Sequence, residues 1–329
     1  MKEPTPVAVA SRSFSRHPVL RKELLARYSR VVFNETGETL SGESLIQFLK
    51  GFMKAIIGLE ILSEKVFMSL PELKVVSKYG VGLDMIDLDA MEKHKVLLGW
   101  TGGVNKRSVA ELALSAMIAL LHRMPEANSV VRSGLWHQVR GMQLTGKTVG
   151  IIGCGNIGKD LVVLLQGFGC RILSNDILDF PEFYKRYGVT PIGLEELLRR
   201  ADIVTLHLPL DDSTRNIIDA KRLELMKNGA YLINMARGGL VDEARLKEML
   251  KEGRLGGAAL DVFNNEPPDD VELLRLSNVI ATPHIGASTD EAILAMGRAA
   301  INGLDSALEV GKICPDYLRR SVRYTKINQ

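Results

Sequence analysis

Three side chains suited to gripping a carboxylate and moving a proton follow three apolar runs late in the chain. They are Arg237 in "AYLINMARGG", Glu266 in "GAALDVFNNEPP" and His284 in "VIATPHIGAS". An arginine fork binds a carboxylate in bidentate fashion and stays charged over the whole working pH range. A histidine titrates near neutrality, gives or takes one proton, and is favoured in its protonated form by a carboxylate beside it. Asp261 stands in the same stretch as Glu266. Taken singly, each has a plainer reading: a surface ion pair for Arg237, a solvated loop acid for Glu266, a hydrogen-bonded loop residue for His284, a loop cap for Asp261. Gathered with a dinucleotide at the carboxyl edge of one sheet, they suit hydride transfer on a carbonyl beside a carboxylate.

A dinucleotide is what the stretch "GIIGCGNIG" is built to hold. Gly153, Gly155 and Gly158 fit G-x-G-x-x-G, the strand-like "KTVGII" runs into them, the helical "IGKDLVVLLQGFG" runs out, and the next strand, "RILSN", ends at Asp176. The first glycine permits the tight turn, the second lets backbone approach a pyrophosphate, and the third lets helix and strand pack closely. The helix N-terminus then offers unpaired N–H groups to the phosphates. Asp176 can accept from both ribose hydroxyls and would repel a 2′-phosphate, and Ile177 and Leu178 bring no cation, so NAD is expected in preference to NADP. A glycine turn in an unrelated α/β protein is the bland alternative. No metal site is assigned.

Two tandem α/β series would position these groups. Up to about residue 100, short runs such as "VAVA", "VVF", "AII", "KVVS" and "KVLL" alternate with helical periods at 17–27, 43–50, 63–69 and 87–93. Helical segments at 108–121 and 125–133 follow. Buried strands are then expected at 148–152, 171–174, 203–206, 231–233, 257–260 and 279–281. The final helix, roughly 288–309, is assigned back to the first series. The expected fold is therefore α/β, with two Rossmann-like or flavodoxin-like doubly wound parallel-sheet domains and an active-site cleft between them. Residues 1–105 plus 290–329 would form a discontinuous substrate-binding domain, and 106–289 the NAD-binding domain.

Composition sets bounds on partners. In 329 residues, 46% are hydrophobic and 25% charged, and 42 Lys and Arg against 39 Asp and Glu leave a net charge of +3. The cations are scattered, which argues against a nucleic-acid or membrane-surface partner. Cys154, Cys170 and Cys314 make neither an even framework nor a CxxC pair, so a reducing, cytoplasmic compartment is expected. No secretory signal is read at the N-terminus, and "SVAELALSAMIALL" is too short to span a bilayer and carries Glu111.

Along the whole chain the sequence resembles the D-isomer-specific 2-hydroxyacid dehydrogenase family, in its phosphoglycerate and glycerate dehydrogenase-like short form. The resemblance is carried by "KYGVGLDMIDLDA", "GVNKRSVAELAL", "GIIGCGNIG", "LHLPLDDSTRNII", "NMARGGLVDE", "ALDVFNNEPP" and "TPHIGAST". It implies that Arg237, Glu266 and His284 are the catalytic residues, with His284 and Glu266 as acid–base pair and Arg237 on the substrate carboxylate. It implies that Asp261 holds the nicotinamide carboxamide, that Asn156 and Ile157 lie on the pyrophosphate turn, and that His207, Thr214, Met235, Ala236 and Gly286 line the cofactor cleft. Backbone N–H groups at Val81 and Gly82 would bind the substrate carboxylate, and homodimerisation would run through 108–133.

Two departures stand out. Gly102 occupies the place where the family usually has proline, and Trp100 close by either shapes the pocket wall or packs in the core. The sequence ends at 329, so the regulatory domain of some phosphoglycerate dehydrogenases, and feedback control through it, are not expected. On the substrate side, Lys78 and Arg12 would serve a second anionic group such as a phosphate, or are simply solvated surface cations. Some relatives resembling the family act as NAD-sensing binding proteins, and the same Arg, Glu and His would suit that role too. Formate dehydrogenase activity is disfavoured by Glu266.

Overall fold

The computed structural model describes residues 2–315; the segment 316–329, which the sequence assigns with the first series, lies outside them. The chain forms two compact units, one from the described residues up to Asn105 together with those from Asp290 onward, the other from Lys106–Thr289.

The first unit holds a five-stranded sheet: β1 (Val7–Val9), β2 (Val31–Phe33), β3 (Lys54–Ile57), β4 (Val75–Lys78) and β5 (Leu97–Gly99), in the order β2-β1-β3-β4-β5. All its pairings are parallel. Helices cover both faces, so alternate residues of one strand enter different cores. In β1, Val7 and Val9 pack with Phe14, Leu20 and Ile301, whereas Ala8 packs with Leu45, Val76 and Leu98 on the opposite face. The helix Asp290–Ser306 belongs here because its backbone seats directly on the sheet. Ser77 Oγ donates to Ala300 O at 2.6 Å, and a side chain on Gly99 would come within 2.3 Å of Gly303 O.

The second unit holds seven parallel strands: β6 (Thr148–Ile152), β7 (Arg171–Asn175), β8 (Val189–Pro191), β9 (Ile203–Leu206), β10 (Tyr231–Asn234), β11 (Gly257–Leu260) and β12 (Val279–Ala281). Their order is β12-β11-β10-β9-β6-β7-β8. The sequence reading did not assign β8. It is a short edge strand ending in proline, a residue an edge tolerates because its outer side needs no donor. The strand order reverses at β6, flanked by β7 and β9, and loops leaving such a switch point diverge and open a crevice.

Candidate active site

At that crevice the chain leaves β6 in a turn only glycine permits. Gly153 has φ of 93°, and a side chain there would meet His207 O at 2.5 Å. A side chain on Gly158 would meet Gly153 O at 2.3 Å, which brings the helix Asn156–Leu165 tight against the turn. Around Gly155, by contrast, a methyl group would touch nothing within 4 Å. Gly155 is the N-cap and provides no side-chain cap, so the first-turn amides of Asn156 and Ile157 face an open cradle. Uncapped amides at a helix N-terminus suit a pyrophosphate. Asp176 closes the turn: Oδ2 accepts from Cys154 N–H at 2.6 Å and Oδ1 from Leu178 N–H at 2.8 Å. The residues present thus fit a dinucleotide.

The ends of β10, β11 and β12 lie side by side, with Asn234 paired to Leu260 and Leu260 to Ala281. Beyond β11, Asp261 is 1% exposed, and its carboxylate is saturated by Thr282 Oγ1 at 2.6 Å, Ile285 N–H at 2.8 Å and Gly286 N–H at 2.8 Å. A buried carboxylate is tolerated only with such partners. The same contacts fold the loop after β12 onto Asp261 and hold His284 at φ of 53°, a left-handed conformation rare for a residue with a Cβ. His284 N–H donates to Asp261 O at 2.9 Å. This clamp sets the imidazole against Glu266: Nδ1 lies 2.9 Å from Glu266 Oε2, while Glu266 Oε1 accepts from Phe263 N–H at 3.2 Å. The two side chains are 52% and 41% exposed, so a small molecule can reach them.

Arg237 follows β10 on a loop built by residues that the sequence reading passed over. Asn234 accepts from Ala236 N–H at 3.1 Å and donates to Arg237 O at 2.8 Å. Asn264 accepts from Gly239 N–H at 2.6 Å, and Gly238 lies so close to Phe263 O that no side chain fits there. The loop bearing Arg237 is thereby stitched to the loop bearing Glu266. Arg237 Nη1 itself donates to Ala236 O at 2.7 Å. An asparagine closing a strand just before a turn, as in "LINMARGG", is the signal that would have pointed to Asn234.

The remaining expected residues fall in distinct places. His207 is buried beside the glycine turn, with Nε2 2.9 Å from Thr205 Oγ1 and, among the described residues, no partner for Nδ1. Burial holds its pKa down at about 3. Thr214 spends its hydroxyl within its own loop, donating to Pro209 O at 2.8 Å and accepting from Asp211 N–H at 2.7 Å. Met235 and Ala236 are buried just past β10, and Gly286 is held between Asp261 and Ser108, whose Oγ donates to Gly286 O at 2.6 Å. In the first unit, Lys78 is 3% exposed at the end of β4; its ammonium donates to Gly58 O and, at 3.1 Å, to Tyr79 O. Val81 and Gly82 follow in the next loop, and Arg12 is exposed beyond β1.

A glycine turn at the switch point of a parallel sheet, closed by an acid just past the end of the neighbouring strand, defines this unit as a dinucleotide-binding α/β fold. The chain belongs to the D-isomer specific 2-hydroxyacid dehydrogenases, an oxidoreductase family: the model of that family's NAD binding domain matches residues 114–286. A D-3-phosphoglycerate dehydrogenase of Methanocaldococcus jannaschii is 40% identical over 276 residues, 81% of this chain and 52% of that protein. This chain thus spans about half the length of that relative. A glyoxylate reductase of Thermococcus onnurineus is 36% identical over 91% of this chain and 92% of its own length. Among solved structures, a D-lactate dehydrogenase from Aquifex aeolicus, complexed with NAD and lactic acid, superposes with a TM-score of 0.79 at 27% identity, covering 91% of this chain and 93% of that one. Among the described residues, no helix is long and apolar enough to cross a membrane, and no group of three or more metal-binding side chains is placed to hold an ion.

Proposed function

We propose that this chain interconverts a 2-oxo acid and a D-2-hydroxy acid using NAD in preference to NADP. The observation that carries the reading is the His284–Glu266 pair, 2.9 Å apart and accessible, in the same unit as the glycine turn and Asp176. Gly153, Gly155, Asn156, Ile157 and Gly158 would hold the pyrophosphate, Asp176 the ribose hydroxyls, and Asp261, His207, Thr214, Met235, Ala236 and Gly286 the remaining wall. When bound, the reduced cofactor supplies the hydride that C2 of the oxo acid accepts. Arg237 fixes the carboxylate and polarises the neighbouring carbonyl. Glu266 occupies Nδ1 of His284, which leaves Nε2 to give its proton to the oxygen forming at C2. The sum is one hydride and one proton added to the carbonyl, and the reverse path returns both. In the first unit, the amides of Val81 and Gly82 are the donors that the family resemblance implies for a substrate carboxylate. The first unit is accordingly the substrate-binding unit, and the second the cofactor-binding one.

The relatives named as D-3-phosphoglycerate dehydrogenases favour, as a second reading, a phosphorylated substrate, with exposed Arg12 as the available cation. The deciding experiment measures NADH and NADPH oxidation with glyoxylate, hydroxypyruvate, pyruvate and phosphohydroxypyruvate. We expect turnover with NADH and at least one of these, and a His284→Ala variant about 10²-fold slower with unchanged NADH affinity. Near wild-type turnover in that variant would remove His284 from the mechanism, and no oxidation with any acid would remove the activity itself.

A further inference from the structure

The departure at Trp100 and Gly102 has a structural consequence in the first unit. The loop after β4 turns at Gly80, whose φ of 122° no side chain adopts readily, and a Cβ there would lie 3.1 Å from the Lys78 ammonium. Among the described residues, the N–H groups of Val81 and Gly82 make no hydrogen bond. A loop that keeps amides unpaired gains nothing from its own backbone and has to be fixed from outside. One end is tied by Lys78, buried and bonded to Tyr79 O. The other is tied by Trp100: its indole N–H donates to Val81 O at 2.9 Å while the ring packs on the apolar core of the unit. The ring fits because residue 102 is glycine; a Cβ at that position would meet Trp100 Cη2 at 2.9 Å and Cζ2 at 3.2 Å.

We propose that Trp100 is a positioning residue that sets the Val81–Gly82 amides for an anionic substrate group, and that Gly102 is its steric complement. The proposal rests on the reading that these amides receive the carboxylate of a 2-oxo acid. Trp100→Phe keeps a ring on the core and deletes the donor; Gly102→Ala keeps the donor and pushes on the far edge of the ring. Each variant raises KM for the oxo acid about tenfold while kcat stays within about threefold. NADH affinity stays unchanged, since Trp100 lies in the other unit. In ¹⁵N relaxation, order parameters at Val81 and Gly82 fall from about 0.85 towards 0.6 in both variants. Because phenylalanine lacks the two ring atoms that the added methyl group would strike, Gly102→Ala adds nothing further in the Trp100→Phe background.

Unchanged KM with retained loop order in both variants overturns the proposal. So do additive penalties in the double variant, or a KM rise matched by an equal loss of NADH affinity, which is general damage to the fold. If the wild-type protein oxidises NADH with no oxo acid, the underlying reading fails on that result alone. Loop order then decides the anchoring by itself, and its retention in both variants overturns it.

Discussion

Asp261 and His207 show how differently two buried polar groups are handled. Asp261 sets its carboxylate within reach of three donors and uses them to fold the segment that carries His284. This gives it a structural task beyond any contact with a nicotinamide, because without the clamp the left-handed backbone at His284 has little to hold it. His207 meets burial by staying neutral, with its pKa held down at about 3 against 6.5 for an exposed imidazole. The depressed value means that the unfolded chain takes up a proton here at a pH where the native one does not. Its contribution to stability is therefore complete above about pH 6.5 and is lost as the pH falls towards 3. Urea unfolding at pH 7.5 and pH 5 reads this directly: the wild-type protein loses about 2 kcal/mol more than His207→Gln over that interval. Equal losses would mean that His207 does not stay neutral in the folded state.

At the level of elements, the glycine turn joins β6 to a helix at the point where the strand order reverses, and its glycines have separable tasks. Gly158 faces backbone oxygen at 2.3 Å, a contact that cannot give way, whereas Gly155 faces open space. Gly155→Ala is therefore expected to fold with its melting temperature unchanged and to weaken NADH binding at least about tenfold, since the methyl group stands where backbone must approach the phosphates. Gly158→Ala is expected to lower the melting temperature as well, because helix and turn have to separate. Thermal unfolding set beside NADH titration separates the two; a destabilised Gly155→Ala with intact NADH binding would exclude the cradle.

Over the molecule as a whole, four of the large apolar side chains exposed in the second unit fall close together in the chain: Met124 at 55%, Val131 at 54%, Leu135 at 57% and Trp136 at 90%. These side chains lie in or just beyond the 108–133 segment through which the family resemblance expects homodimerisation, and an exposed apolar stretch suits such a contact. Light scattering after size exclusion is expected to give twice the 36.2 kDa chain mass, and Trp136→Glu to return it towards the monomer. A monomeric wild-type protein would remove the homodimer.

The sequence by itself determined what is local and periodic. The alternation of β-branched runs with helical periods marked most strands, and the glycine spacing with an acid on the following strand marked the dinucleotide turn. Arg237, Glu266 and His284 stood out because each is an unusual polar group after an apolar run. Edge strand β8 escaped because Val189–Pro191 is too short to show a period and ends in a residue that strands generally exclude. Also invisible were Asn234 and Asn264 as the supports of the Arg237 loop, Asp261 as the clamp on His284, and Lys78 as a tether bonded within its own unit. Whether Trp100 was core or pocket wall stayed open in the same way, until its ring lay over Gly102 and its N–H reached Val81. These roles depend on contacts between segments far apart in the chain, which only the pairing of strand ends and the packing of helices on the sheets bring within hydrogen-bond distance.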